Sequence, residues 1–173
     1  MEYVIDVLKE TLNEEEAGYY YRKSIVEMNE EERMPYMENE MKYLAFFREL
    51  FELNDQELII RINFICSSDI EEFFDNEKDD FINEIKKVGI ENIMLKKEVV
   101  IREFDDIVHF IKLSYRDFRA GFGKVELWYN NLDLKISSNS DYIYILETFN
   151  GVSEVLEEIS GRNAVYMKKI NTL

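Results

Sequence analysis

Residues 123–137 read GKVELWYNNLDLKIS, and apolar and polar residues alternate on both sides of the two asparagines. This alternation predicts a β-hairpin with one buried face. Asn130 and Asn131 suit a two-residue type I′ turn because asparagine tolerates a positive φ. That turn puts Glu126 opposite Lys135 on the outer face, a favourable pair of charges. On the inner face it pairs Tyr129 with Leu132, Leu127 with Leu134 and Val125 with Ile136.

The patterns on either side of the hairpin predict an α+β fold. Strands are expected at 57–66, 93–102 and 142–149, and helices at 69–88, 107–118 and 152–159, with an interruption of the first helix at 75–80. The last strand continues the hairpin as a β-meander, and residues 163–173 fit either a helix or a strand. We therefore expect a mainly antiparallel sheet of about five strands, covered by helices.

The first 54 residues are expected to be helical. Apolar residues recur at helical spacing in residues 4–12 and 17–28. Residues 34–53 are apolar on two faces, and Pro35 suits the first turn of this helix. The helix is the candidate for the centre of the fold, or for a helix with one face covered by a partner. We expect one domain over 1–173, with a helical layer (1–54) and a sheet-containing part (55–173).

The negative charge of the chain is concentrated in two segments. The net charge is −16, of which residues 1–40 carry −8 and residues 69–84 carry −7, while the other 117 residues are nearly neutral. A localised negative field attracts a positive surface, so we expect a basic protein as the partner. Direct nucleic-acid binding is disfavoured because the longest basic runs are pairs of lysines.

The composition also indicates a location. Cys66 is the sole cysteine and cannot form an internal disulfide, which favours a reducing compartment. The N-terminal stretch MEYVIDVLKE lacks the pattern of a signal peptide, and no apolar run reaches the length of a membrane span. We expect a cytoplasmic protein without membrane contact.

No motif specifies a chemistry. His109 is the only histidine and is expected at a helix surface or boundary, so a catalytic triad lacks parts. The acids at 75–80 lack the central glycine of a calcium loop. Asp133-Leu134-Lys135 matches only the second half of a metal-dependent nuclease core, and residues 118–125 lack the required residues of a phosphate loop. We predict no catalytic, metal or cofactor residues.

Candidate residues for partner binding come from the acidic segments and from two aromatic residues that fall off the apolar faces. Exposed aromatics rimmed by acids are typical of an interface with a basic protein, although the protein's own helices could also cover these rings. The candidates are Glu30, Glu31, Glu32, Asp75, Glu77, Asp79, Asp80, Tyr19 and Trp128.

Acidic proteins without catalytic motifs include the immunity proteins that neutralise nuclease toxins of bacteria. The leading hypothesis is that this chain is such an immunity protein. A second hypothesis is a phage-encoded inhibitor that mimics the charge of DNA and binds a host defence or restriction enzyme. It would rely on the same attraction between an acidic protein and a basic one. A small enzyme or ligand-binding domain with a pocket between helix 34–53 and the sheet is the alternative of another class. The chain could also be a subunit of a larger complex, in which one face of that helix packs on the core and the other contacts a partner. The sequence does not predict the oligomeric state.

Overall fold

The computed structural model describes residues 1–10, 12–13, 15, 23–63, 65, 67–117, 124–139 and 142–170. These residues form an α+β fold around one antiparallel sheet of seven strands, two more than predicted. The strands are β1 (Glu2–Asp6), β2 (Leu58–Ile62), β3 (Glu98–Ile101), β4 (Val125–Tyr129), β5 (Leu134–Ser138), β6 (Tyr144–Thr148) and β7 (Tyr166–Lys169). Their order is β3-β2-β4-β5-β6-β1-β7, so the predicted meander β4-β5-β6 is confirmed and β3 and β7 are the edges.

Six helices accompany the sheet in the described part of the chain. They are α1 (Glu30–Leu53), α2 (Ser67–Phe73), α3 (Lys78–Val88), α4 (Ile90–Met94), α5 (Val108–Arg116) and α6 (Glu154–Arg162). Buried tyrosines tie the sheet to these helices, since Tyr129 donates a hydrogen bond to the carbonyl of Phe47 in α1 and Tyr144 donates one to that of Ile111 in α5. None of the helices in the described ranges is both long and apolar enough to cross a bilayer.

The central helix α1 is packed mainly on one side. It begins at Glu30, earlier than predicted, so Pro35 lies in its second turn rather than its first. Its buried face carries Tyr43 and Phe47 against the sheet. Of the second predicted apolar face, Met34 and Met41 are 63% and 59% exposed. Leu44 and Phe51 of that same predicted face are buried, so they belong to the core face, and Met34 and Met41 lie outside it.

The hairpin forms with the predicted inner face but in a different register. Leu127 pairs with Ile136 and Trp128 with Lys135, two residues away from the predicted partners. The loop has four residues rather than two, because residues 130–132 make a 3₁₀ turn and Asp133 adopts the left-handed conformation at φ 53°. A shift of two residues keeps every side chain on its predicted face. Lys135 therefore binds Glu147 and does not face Glu126.

The N-terminal residues form a strand, not the predicted amphipathic helix. β1 lies between β6 and β7, and Val4 faces Ile145 on one side and Lys168 on the other. Asp6 accepts a hydrogen bond from Lys168 at 2.9 Å. Pairing on both sides satisfies the backbone of β1, which a short isolated helix cannot do. The tail that fitted either structure supplies β7.

The segment between β2 and β3 agrees in part with the prediction. The interruption at 75–80 is confirmed, because α2 ends at Phe73 and α3 begins at Lys78. Gly89 ends α3 at φ 90°, as expected of a helix-terminating glycine. Residues 93–102 are strand only at Glu98–Ile101, since α4 occupies the first part of that range.

Candidate protein-binding surface

The two acidic segments adjoin on one side of the molecule. A depression of about 510 Å³ lies between the N-terminal half of α1 and the residues that join α2 to α3. Ile25, Val26, Arg33 and Met37 line it from the first segment, whose acids Glu30, Glu31 and Glu38 lie beside these residues on α1 and not in the lining itself. Glu71, Glu72, Asp75 and Glu77 line it from the second. The sequence alone left open whether these segments share a side.

An exposed row on α1 continues this depression. Residues three and four apart lie on the same face of a helix. Met37 lines the depression and is three or four residues from Met34 and Met41, which are exposed. Glu30 and Glu31 are four and three residues before Met34, and Glu38 is three residues before Met41, so these acids lie beside the methionines. We call the following set the acidic methionine surface: Glu30, Glu31, Met34, Met37, Glu38 and Met41 of α1, with Glu71, Glu72 and Asp75.

The predicted residues Glu30, Glu31 and Glu32 form the first turn of α1, where negative side chains complement the helix dipole. Glu30 and Glu31 are exposed. Glu32 is part of the helix cap, because its N–H donates to the Asn29 side chain and its carboxylate accepts the Asn29 N–H. A hydrogen bond from Lys23 and the Asn29 N–H lower the pKa of Glu32. Two of the three predicted acids are thus presented to solvent.

Three of the four predicted acids in residues 75–80 are exposed, namely Asp75, Asp79 and Asp80. Glu77 is half-buried and accepts hydrogen bonds from Lys112 and from Arg116. Partial burial opposes the charged form of Glu77, but the Lys112 hydrogen bond and the charge of Arg116 outweigh it and lower its pKa. Glu77 therefore forms the floor of the depression and contacts the core, while the other three acids face outward.

The depression is held in place by a buried ion pair that sequence reasoning did not predict. Nε and Nη2 of Arg116 donate to the two carboxylate oxygens of Glu40, at 2.7 and 2.8 Å. Nη1 donates to the carbonyl of Phe73 at 2.8 Å. The guanidinium lies 4.7 Å from the ring centroid of Phe74. Arg116 thus joins α5 to α1 and to the end of α2, and so determines how the two acidic segments sit beside each other.

His109 is buried rather than at a helix surface. Its Nδ1 lies 2.6 Å from Glu84, which also accepts the backbone N–H of His109 at 2.8 Å. Its ring stacks on Phe81. A second depression, of about 570 Å³, lies beside this pair and is lined by Lys86, Lys87 and acidic residues. Glu84 and His109 are 25 residues apart in the chain, so no local spacing in the sequence could predict that they pair.

The structure does not bring Trp128 to the acidic methionine surface. Trp128 is half-buried on the sheet face opposite the helices, as predicted, with Lys135 Nζ 5.6 Å from its ring centroid. With the exposed Phe149 it lines a recess of about 380 Å³. Tyr19, the other predicted aromatic anchor, lies outside the described residues, as does Cys66.

The space between α1 and the sheet, where the alternative prediction puts a ligand pocket, is packed in its middle by aromatic rings. The rings of Phe47 and Tyr144 meet there at a centroid distance of 4.9 Å. A recess of about 150 Å³ lies at the C-terminal end of α1, where Leu50 and Leu53 line it. Polar side chains of Asn150 and Ser153 also face this recess.

Over the described ranges, no three histidine, cysteine, aspartate or glutamate side chains are grouped so that they could hold a metal ion. Comparisons with protein-family models, with curated proteins and with solved structures find no match to this chain.

Proposed function

We propose that this chain is an acidic binding protein that neutralises a basic protein partner, and that the partner docks on the acidic methionine surface. The observation that carries the proposal is that residues within 25–37 of the first acidic segment and residues 71–77 of the second line one depression, next to exposed acids and methionines of α1. Arg33 lies among the acids of this surface. Lys78 also pairs with Glu71 of the surface. The six carboxylates of the surface outnumber these two cations, so the local charge is net negative.

The two kinds of side chain have different roles in binding. Carboxylates on the surface raise the rate at which a cationic partner arrives, and salt screens this effect. Methionine is flexible and polarisable, so Met34 and Met41 can adapt to the partner and bury apolar area at the centre of the contact. A charged rim around an apolar centre is the arrangement that stable interfaces use.

The most concrete form of the proposal is an immunity protein that acts in the cytoplasm against a nuclease toxin. A nuclease must be cationic around its substrate groove, because it holds phosphates there. An acidic protein that binds this groove competes directly with the nucleic acid. A phage-encoded inhibitor of a host enzyme would use the same surface in the same way.

The experiment that tests this proposal captures partners from a lysate of the native host on the tagged protein. The triple variant Glu31→Gln, Glu38→Gln, Asp75→Asn removes three exposed charges from the acidic methionine surface. The matched control, Glu154→Gln, Glu157→Gln, Glu158→Gln, removes three exposed charges from α6. α6 contacts the C-terminal half of α1 through Arg162 and Glu49. The control therefore lies far from the depression, because α1 has 24 residues and is about 36 Å long.

We expect a basic protein to be retained at about 50 mM salt and released at about 500 mM, where the Debye length is only a few ångströms. The triple variant should lose it and the α6 control should keep it. A partner that both variants retain equally, or one without a basic surface, would contradict the proposed docking site.

A further inference from the structure

The stretch from the end of α3 through α4 to the residue after the edge strand β3 differs from the rest of the surface in both polarity and charge. Ile90, Met94, Leu95 and Val100 are exposed large apolar residues within one short stretch of chain. Residues 86–102 contain five lysine or arginine residues and two glutamates. In a chain of net charge −16, this stretch has a local excess of positive charge, so attraction between two copies here depends on how individual charges face each other.

The sequence of β3 with its flanking residues Lys97, Arg102 and Glu103 is complementary to itself when two copies run antiparallel. If Val100 faces Val100 of the second copy, Glu98 of each chain faces Arg102 of the other. The same register places Lys97 opposite Glu103. Opposite charges directly across an antiparallel pair are stabilising. Glu98 lies two residues from Val100 in β3 and shares its sheet face, the one opposite the helices. Arg102 directly follows β3 and contacts Glu57, which directly precedes β2, so it continues the pairing of these two strands.

Neighbouring registers and the other edge lack this complementarity. A shift of one residue in one direction places Lys97 opposite Arg102, and the opposite shift places Glu98 opposite Glu103. Strand β7, the other edge, reads YMKK and has no acid to face its lysines. A lysine-bearing edge of this kind resists pairing with another chain.

Glu98 and Arg102 can exchange their present partners. Within one chain Glu98 contacts Arg61 at 3.0 Å and Arg102 contacts Glu57 at 3.1 Å. The Arg102 side chain is 73% exposed, those of Glu98 and Glu57 are about half exposed, and that of Arg61 is 35% exposed. Solvent-exposed ion pairs hold their geometry weakly. We propose that two copies of this chain pair through β3, centred on Val100, and join their sheets into one continuous antiparallel sheet. This inference is independent of the acidic partner.

The test is sedimentation velocity of the full chain from about 1 µM to about 500 µM at about 150 mM salt, where screening limits the repulsion between the two copies. The wild type should be a dimer at the upper concentrations. Glu98→Arg alone places an arginine opposite Arg102 at both ends of the pairing, and Arg102→Glu alone places a glutamate opposite Glu98 at both ends. Each variant should weaken the dimer about tenfold or more, since each dimer contains two such pairs.

The decisive sample is a mixture of the two variants. In a mixed dimer the arginine introduced at position 98 of one chain faces the glutamate introduced at position 102 of the other. The unchanged Arg102 of the first chain faces the unchanged Glu98 of the second, so attraction returns at both positions. The Arg61 and Glu57 contacts within each chain are not restored in the mixture, so recovery of dimer reports only on pairing between chains. A wild type that stays monomeric throughout, or a mixture that dimerises no better than either variant alone, would overturn the proposal.

Discussion

Substitution of Arg116 by leucine should be among the most destabilising single changes in this protein. The Arg116 side chain is 6% exposed and that of its partner Glu40 is 1% exposed. Leucine would remove four hydrogen bonds, two to Glu40, one to the carbonyl of Phe73 and one to Glu77. It would leave the Glu40 carboxylate buried without its cation.

The magnitude follows from these contacts. Breaking a buried ion pair by removing one partner costs about 3–5 kcal/mol, and an unpaired buried carbonyl adds about 1 kcal/mol where water cannot reach it. We therefore expect Arg116→Leu to lower the free energy of unfolding by about 5 kcal/mol, measured by urea denaturation followed by circular dichroism. That is a large part of the total stability of a typical domain, about 5–15 kcal/mol.

The double variant Glu40→Leu, Arg116→Leu separates loss of a buried charge partner from loss of packing. It removes both charges, so no carboxylate is left unpaired at Glu40. We expect it to be more stable than Arg116→Leu alone by about 2 kcal/mol, because apolar residues can replace a buried ion pair at little cost. The reasoning is refuted if Arg116→Leu costs less than about 1 kcal/mol, or if the double variant is less stable than the single one.

Three further predictions follow from the acidic segments. Asn29→Ala removes the cap of α1 and should lower the free energy of unfolding by about 1 kcal/mol in urea, whereas an unchanged midpoint would show that the cap is dispensable. The pKa of Glu77 is lowered in the folded state from 4.5, so the stability that Glu77 contributes is present above pH 4.5 and is lost as the pH falls through its folded pKa. Glu77→Gln should therefore lose less free energy of unfolding than the wild type when the pH is lowered through this range. An equal loss in both proteins would contradict this prediction. The double variant Met34→Gln, Met41→Gln should have a thermal midpoint within about 2 °C of the wild type, because both residues are exposed and exposed substitutions change stability little. The same variant should retain less of the host partner. Unchanged retention would show that the methionines are not part of the interface.

The C-terminal half of the fold could be predicted because its signals are local. Alternation along residues 123–137 determines which side chains point inward, and the meander follows from short connections. The register could not be predicted from the two asparagines alone. It depends on Asn54 at the end of α1, whose side chain accepts the N–H of Asn131 at 2.8 Å, a contact 77 residues apart in the chain.

The N-terminal strand and the buried charges depend on contacts that local patterns do not contain. Val4 and Ile5 fit either a helix or a strand, and pairing with β6 and β7 decides between them. Glu40 and Arg116 are 76 residues apart. Each is an ordinary residue in its own helix, so only the folded chain reveals that they form one ion pair.

The acidic segments themselves were visible in the sequence, but their arrangement was not. Counting charges cannot show that Asp75 and Met37 line the same depression. It also cannot separate Glu77, which Lys112 and Arg116 hold, from Asp79 and Asp80, which face solvent. The structure therefore shows which of these acids lie near the depression and which are held by basic side chains.

The central claim, that a basic partner is drawn to the acidic methionine surface, is tested most directly by the association rate constant of the purified pair as a function of salt. We predict that this rate constant falls at least about tenfold between about 50 mM and about 500 mM salt, because steering by charge is screened. The fall should be markedly smaller for Glu31→Gln, Glu38→Gln, Asp75→Asn than for the α6 control. An association rate constant that does not change with salt, or that changes equally for both triple variants, would contradict the account.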